Sequence, residues 1–190
     1  MPYSLTLSHC GIFVTNMAKM VDFYTGFLGF AVSDRGTVAD GRGEIVFLTR
    51  DPREHHQFVL ASGRPADLPY NIVNQLSFRV DSLDTLREMQ RQLRDEQGTE
   101  LGPISHGNAL SLYLHDPEKN RVELLIDTPW YVPQPYRVPY DIMLPDAEVW
   151  AAVEKQVRAV PGFKMREAWA AEIERKIAEA TQKRQSALSA

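Results

Sequence analysis

The sequence predicts an α+β fold: two copies of a βαβββ module, followed by a C-terminal strap and helices. Three observations carry this. The chain of 190 residues matches itself at an offset of 66, the separation of His9 from Gln75 and of Gln57 from Glu123. In each copy a short β-branched and aromatic run is followed by an apolar stripe at helical spacing, and then by further short runs. Beyond Thr128 the composition changes abruptly to Pro and aromatic residues.

The elements follow in chain order. Residues 9–14 (HCGIFV) fall on residues 75–80 (QLSFRV), and both read as strands; Cys10 is expected to be buried in the first. Met17, Met20, Val21, Tyr24, Phe27 and Leu28 form one helical stripe, and Leu83, Leu86, Met89 and Leu93 form the other. Gly29 and Gly98 stand just beyond the stripes, where a left-handed residue closes a helix. Residues 44–48 then lie on 110–114, and 57–60 on 123–126. Turns at Asp40-Gly41 and Asp116-Pro117-Glu118-Lys119-Asn120 join these strands. The modules span 5–65 and 70–128, within a domain of 1–128.

Residues 129–190 form an extension. Its prolines forbid regular structure at first and favour an extended strap. Helices are expected over 147–160 and 164–183, broken at Pro161-Gly162. Trp150, Val153, Val157 and Val160 share a face of one, and Trp169, Ile173 and Ile177 a face of the other. The pair is expected to pack on the domain or on a second subunit. The alternative is a lid over a substrate, for which Trp130, Tyr131 and Tyr136 speak.

Composition excludes several functions. With 21 Lys+Arg against 25 Asp+Glu and a net charge of -4, the chain offers no basic face for nucleic acid. A single Cys rules out an intramolecular disulfide framework and a thiolate zinc cage. No membrane span and no signal peptide are expected, because no 18 apolar residues run together and the N-terminus lacks a basic-then-apolar stretch; the expected location is cytoplasmic. A chain of this length buries roughly 70% of its extended surface, so a metal would serve chemistry and not folding. No dinucleotide, P-loop or hydrolase-elbow motif is present.

The chemistry resides in polar residues occupying strand slots. His9 and Gln75 share one slot of the repeat, and Gln57 and Glu123 share another. A lone strand His is ordinarily structural, but four metal-capable groups at two related slots point to a metal site.

Residues 9–30, 74–86 and 106–127 resemble the vicinal oxygen chelate superfamily, which groups glyoxalases, extradiol dioxygenases, epimerases and drug-resistance proteins. The resemblance implies a cup-shaped mixed sheet formed by the two modules. Residues 53–63 (REHHQFVLASG) and 105–117 (SHGNALSLYLHDP) most resemble single-domain type I extradiol dioxygenases, which hold Fe(II) on two His and one carboxylate. By motif position the metal ligands here are His9, Gln75 and Glu123. Gln75 stands where those enzymes have their second His; a carboxamide weakens Fe(II) retention or changes the metal, so Mn(II), Co(II), Ni(II) and Zn(II) stay open beside Fe(II). Gln57 is either a further ligand or lines the cavity.

Ring cleavage needs an acid–base group, and imidazole suits neutral pH. His55, His56 and His106 are the candidates. Strand alternation puts His55 on the side of Gln57 and favours it over His56, unless a bulge reverses the choice. His106 and Tyr113 match the His that stands behind the metal ligands in the resembled enzymes and their substrate-binding Tyr. Tyr113 shares a face with Glu123 only if the intervening turn is tight. His115, beside that turn, is expected to be exposed and structural.

The expected function is a metal-dependent extradiol-type dioxygenase acting on a catechol-like aromatic and dioxygen, as a homodimer. A glyoxalase- or epimerase-like lyase or isomerase, and a metal-free protein binding an aromatic ligand, are the alternatives.

Overall fold

Residues 6–37, 41, 43–65, 67–68, 70–93, 95–99 and 101–188 are described by a computed structural model, in which both copies of the repeat take the same order of elements. In the first, β1 (Cys10–Val14) leads into α1 (Met17–Asp22), which tightens into a π-helical turn over Phe23–Phe27. β2 (Ala31–Thr37), β3 (Glu44–Thr49) and β4 (Phe58–Ser62) follow, in the sheet order β1-β4-β3-β2. β1 runs parallel to β4, and the other pairs are antiparallel. Asn16 caps α1 by accepting from the Lys19 N–H, and Gly29, at φ 70°, supplies the left-handed exit. Asp40 of the Asp40-Gly41 turn lies outside the described residues.

The second copy repeats the pattern. β5 (Leu76–Arg79), α2 (Leu83–Gln92), β6 (Pro103–Ser105), β7 (Ala109–His115) and β8 (Arg121–Asp127) give the order β5-β8-β7-β6. This is the first sheet's order strand for strand, as a duplicated hydrophobic pattern requires. In the extension, β9 (Trp130–Tyr131) pairs with β11 (Lys164–Met165), and β10 (Val138–Pro139) adds to β6. α3 spans Asp146–Arg158 and α4 spans Arg166–Leu188. The chain divides into two compact units: one runs through Leu76 and takes in His115–Arg121, and the other contains Ser77–Leu114 and the residues from Val122 onward.

Several expectations are corrected. Cys10 is exposed, because β1 is an edge strand and only its alternate residues Ile12 and Val14 turn inward. Gly98 is not left-handed: α2 already ends at Gln92 with an extended Leu93, and Gly98 closes a short 3-10 turn on Asp95. On α3 the buried residues are Val149, Val153 and Val157. Trp150 is half-buried against Trp130, with 5.9 Å between ring centroids. Tyr131 stacks on Trp169 at 5.4 Å, but Ile177 stays 62% exposed.

In the first unit, core and turn are joined by a buried polar cluster. The Tyr24 hydroxyl donates to Asp116 Oδ2 at 3.2 Å, and Asp116 also accepts from the N–H groups of Glu118 and Asn120 and from Asn120 Nδ2. Glu118 Oε1 accepts from the backbone N–H of Thr15 and Asn16 at 2.7 and 2.6 Å, an anion at a helix N-terminus. Arg64 bonds Glu118 and Asn120 at 3.3 and 3.1 Å. Burial pushes the Asp116 carboxyl up, with its donors opposing, and burial beside Asp116 raises the Tyr24 phenol.

Asp116→Ala strands the buried Tyr24 hydroxyl and the turn N–H groups, and is expected to cost about 3 kcal/mol in urea unfolding. Tyr24→Phe leaves Asp116 its other donors and should cost about 1 kcal/mol. Because the folded carboxyl binds its proton more tightly than the unfolded one, this term stabilises most at acid pH, below the unfolded value. It is lost as pH rises through the raised folded value. Wild-type and Asp116→Asn unfolding free energies, compared across that range, check the slope.

Candidate functional site

The second sheet builds its polar face by alternation. On β7 Leu110, Leu112 and Leu114 point one way, and Ser111 and Tyr113 the other; on β8 Val122, Leu124 and Ile126 oppose Glu123. β8 lies between β7 and β5, so Glu123 meets side chains from both neighbours. Tyr113 OH donates to Glu123 Oε1 at 2.7 Å, and Ser77 Oγ of β5 donates to Oε2 at 2.6 Å. Glu123 is 5% exposed and Tyr113 6%. A carboxylate so buried is tolerated only when hydrogen-bonded.

The chain continues to His106, in the bend after β6. Its Nε2 lies 2.8 Å from Tyr113 OH and its Nδ1 2.9 Å from the Tyr136 carbonyl. A carbonyl only accepts, so Nδ1 carries a hydrogen. The Tyr113 hydroxyl thus lies between the Nε2 of His106 and the Glu123 carboxylate, and its one hydrogen can turn to either. Among the described residues, Ser111 Oγ is a buried polar atom without a partner, on the face of β7 that carries Tyr113, where a polar ligand would satisfy it.

The bend is tightly held. Gly107 adopts φ 76°, and a Cβ there would lie 2.4 Å from Val132 Cγ2. Thr128 Oγ1 donates to the Gly107 carbonyl at 2.5 Å, and Gln134 Nε2 donates to the His106 carbonyl at 2.7 Å.

The expected residues fall in both units. His106, Tyr113 and Glu123 are brought together in the second, and the tight Asp116–Asn120 turn delivers the pairing of Tyr113 with Glu123. His9 and Gln75 belong to the first unit, each one residue ahead of a strand and exposed. Gln57 Oε1 accepts from the Arg50 N–H at 2.9 Å. The alternation expected for His55 and His56 does not apply, since β4 begins only at Phe58. His56 is the one against His9, with ring centroids 4.2 Å apart, and its Nδ1 lies 2.8 Å from that of His55. Partial burial, then the charges of His9 and His55, hold the His56 imidazole below its usual value. His55 is exposed, 3.9 Å from Asp34. His115 ends β7 half-buried, not exposed.

Among the described residues no three His, Cys, Asp or Glu side chains are grouped to hold a metal; the expected set contains only two of those types, with Gln75 the third. Sequence reasoning missed Ser77 and Gln134. Ser77 stands two residues after Gln75, hence on its side of the strand, and that was the available signal. No described helix is long and apolar enough to cross a membrane.

The family model described as Glyoxalase/Bleomycin resistance protein/Dioxygenase superfamily matches residues 6–124. Two curated relatives from Rhodococcus globerulus are biphenyl-2,3-diol 1,2-dioxygenases 3 and 2, each 31% identical to the chain. The alignments cover 64% and 63% of this chain and 63% and 62% of those proteins, so the chain spans less than two thirds of their length. Among solved structures, the V278E mutant of glyoxalase I from Zea mays gives a TM-score of 0.50 at 19% identity, over 63% of this chain and 43% of that one. The fosfomycin resistance protein FosX from Listeria monocytogenes gives 0.50 at 14%, over 65% and 92%. These two share the fold.

Gly107→Ala combines a left-handed backbone with a steric clash, and is expected to cost about 3 kcal/mol in thermal or urea unfolding. An undiminished stability would show that the bend is not held as described.

Proposed function

The chain belongs to the Glyoxalase/Bleomycin resistance protein/Dioxygenase superfamily, and on that premise we propose that it is a metal-dependent, extradiol-type ring-cleaving dioxygenase acting on a catechol-like aromatic. The observation that carries this reading is the buried Glu123–Tyr113–His106 chain, a carboxylate joined through a phenol to an imidazole. The 31% identity to two biphenyl-2,3-diol dioxygenases supports it.

His9, Gln75 and Glu123 would hold the metal. One imidazole nitrogen, one carboxamide oxygen and one buried carboxylate form a donor set that suits Fe(II) and also Mn(II), Co(II), Ni(II) or Zn(II). When bound, Fe(II) would supply a chelation site for adjacent catechol oxygens and the redox chemistry that dioxygen needs. The remaining work falls to the protein. The Tyr113 and Ser77 hydroxyls orient the Glu123 carboxylate, as outer partners of a ligand do. Tyr113 also presents a hydroxyl to a phenolic substrate. His106 takes or returns the substrate proton through that hydroxyl, and His55 and His56, the second of which lies against His9, are further candidates for the base. In this reading residues 1–128 form the catalytic domain, 129–190 are an extension, and the protein acts as a cytoplasmic homodimer.

Gln75 favours a second reading, a glyoxalase- or epimerase-like lyase or isomerase, because a neutral carboxamide suits a redox-inert ion. Turnover with Ni(II), Co(II) or Zn(II) in the absence of oxygen would select it.

Iron-loaded protein is expected to consume oxygen with at least one member of a catechol panel that includes biphenyl-2,3-diol; none consumed across the panel sinks the proposal. Gln75→His should tighten Fe(II) binding about tenfold or more in anaerobic titration, and unchanged affinity would remove Gln75 from the ligand set. His106→Ala should lower kcat by about 10² to 10⁴ while retaining the metal.

A further inference from the structure

The extension beyond residue 128 reaches the bend that carries His106. Gln134 brackets this bend with both arms of its amide. Its Nε2 donates to the His106 carbonyl at 2.7 Å and, more weakly, to the Val132 carbonyl at 3.3 Å, and its Oε1 accepts from the Tyr136 N–H at 3.0 Å. The bracket thus ties the backbone of His106 to the peptide of Tyr136, the residue whose carbonyl lies 2.9 Å from His106 Nδ1. β10 adds a second tie two residues later, pairing Val138 with Ser105, the residue before His106. Val132 packs against Gly107 from the same strap.

An imidazole free in water prefers its hydrogen on Nε2. Here a backbone carbonyl occupies Nδ1, and a carbonyl can only accept, so the hydrogen is drawn to Nδ1 and the lone pair of the neutral ring is left on Nε2. Nε2 is the nitrogen 2.8 Å from Tyr113 OH. Without the strap, the ring would present an N–H to Tyr113 in its neutral form and could not accept a proton from it.

We propose that Gln134, through the Tyr136 carbonyl, is a positioning residue that holds His106 as its Nδ1–H tautomer with basic Nε2 turned to Tyr113. The extension, which lies outside the family-matched residues 6–124, is in this way part of the acid–base apparatus. The proposal deepens the acid–base reading of His106 and rests on that reading only for its effect on turnover, since the tautomer is observable by itself.

The test is ¹⁵N NMR of histidine-labelled full-length protein at a pH where His106 is neutral, with His106→Gln used to assign its signals. Wild type is expected to show hydrogen on Nδ1 and an unprotonated Nε2. Gln134→Ala, at an exposed position, is expected to move the population toward Nε2–H and to lower kcat at least about tenfold with KM little changed. Gln134→Glu, which keeps the acceptor for Tyr136 but loses the donor to His106, should fall between, and Arg137→Ala on the same strap should match wild type. Hydrogen on Nε2 in the wild type, or an unshifted Nδ1–H tautomer in Gln134→Ala, overturns the proposal. A shifted tautomer with unchanged catechol turnover upholds the positioning role and instead overturns the acid–base reading of His106.

Discussion

A carboxylate on a middle strand, almost wholly out of water, must find hydrogen-bond donors or be too costly to bury. Glu123 finds them on both sides, because β8 lies between β7 and β5: Tyr113 approaches from one neighbour and Ser77 from the other. Strand order and residue identity are thus inseparable at this point. The tyrosine that satisfies the carboxylate also touches His106, and His106 is held by a carbonyl of the strap. From one buried acid the arrangement extends through three elements to the C-terminal extension.

The first unit solves a similar problem differently. Asp116 is buried in a turn and takes its donors from the turn itself and from Tyr24. Glu118, two residues on, caps the N-terminus of α1 through the Thr15 and Asn16 N–H groups. One acidic turn therefore stabilises its own geometry and a helix start together. The same turn sets the hairpin register that aligns Tyr113 with Glu123, so the structural carboxylates and the candidate catalytic one share a single short segment of chain.

Much of this was legible in the sequence. The 66-residue repeat gave the module order because hydrophobic period and turn chemistry recur together in both copies, and both sheets carry the same strand order. Tyr113 and Glu123 were legible as a pair only on the condition of a tight turn between them, a condition that the hydrogen bonds between Asp116 and Asn120 meet. The failures have physical causes. Cys10 lies on an edge strand, where alternation exposes every second residue. His55 and His56 fall in a loop, where period-2 reasoning has no basis. Gln134 acts through its amide on the backbone of a residue 28 positions away, and no local spacing encodes such a contact.

The central claim is that this fold, with Glu123 at the centre of its candidate site, carries out dioxygenase chemistry on a catechol. The most direct measurement is mass analysis of the product formed by iron-loaded protein under ¹⁸O₂. The account predicts a ring-opened product carrying both ¹⁸O atoms. A product containing neither atom or only one, or a metal-dependent product formed equally well without oxygen, would contradict it.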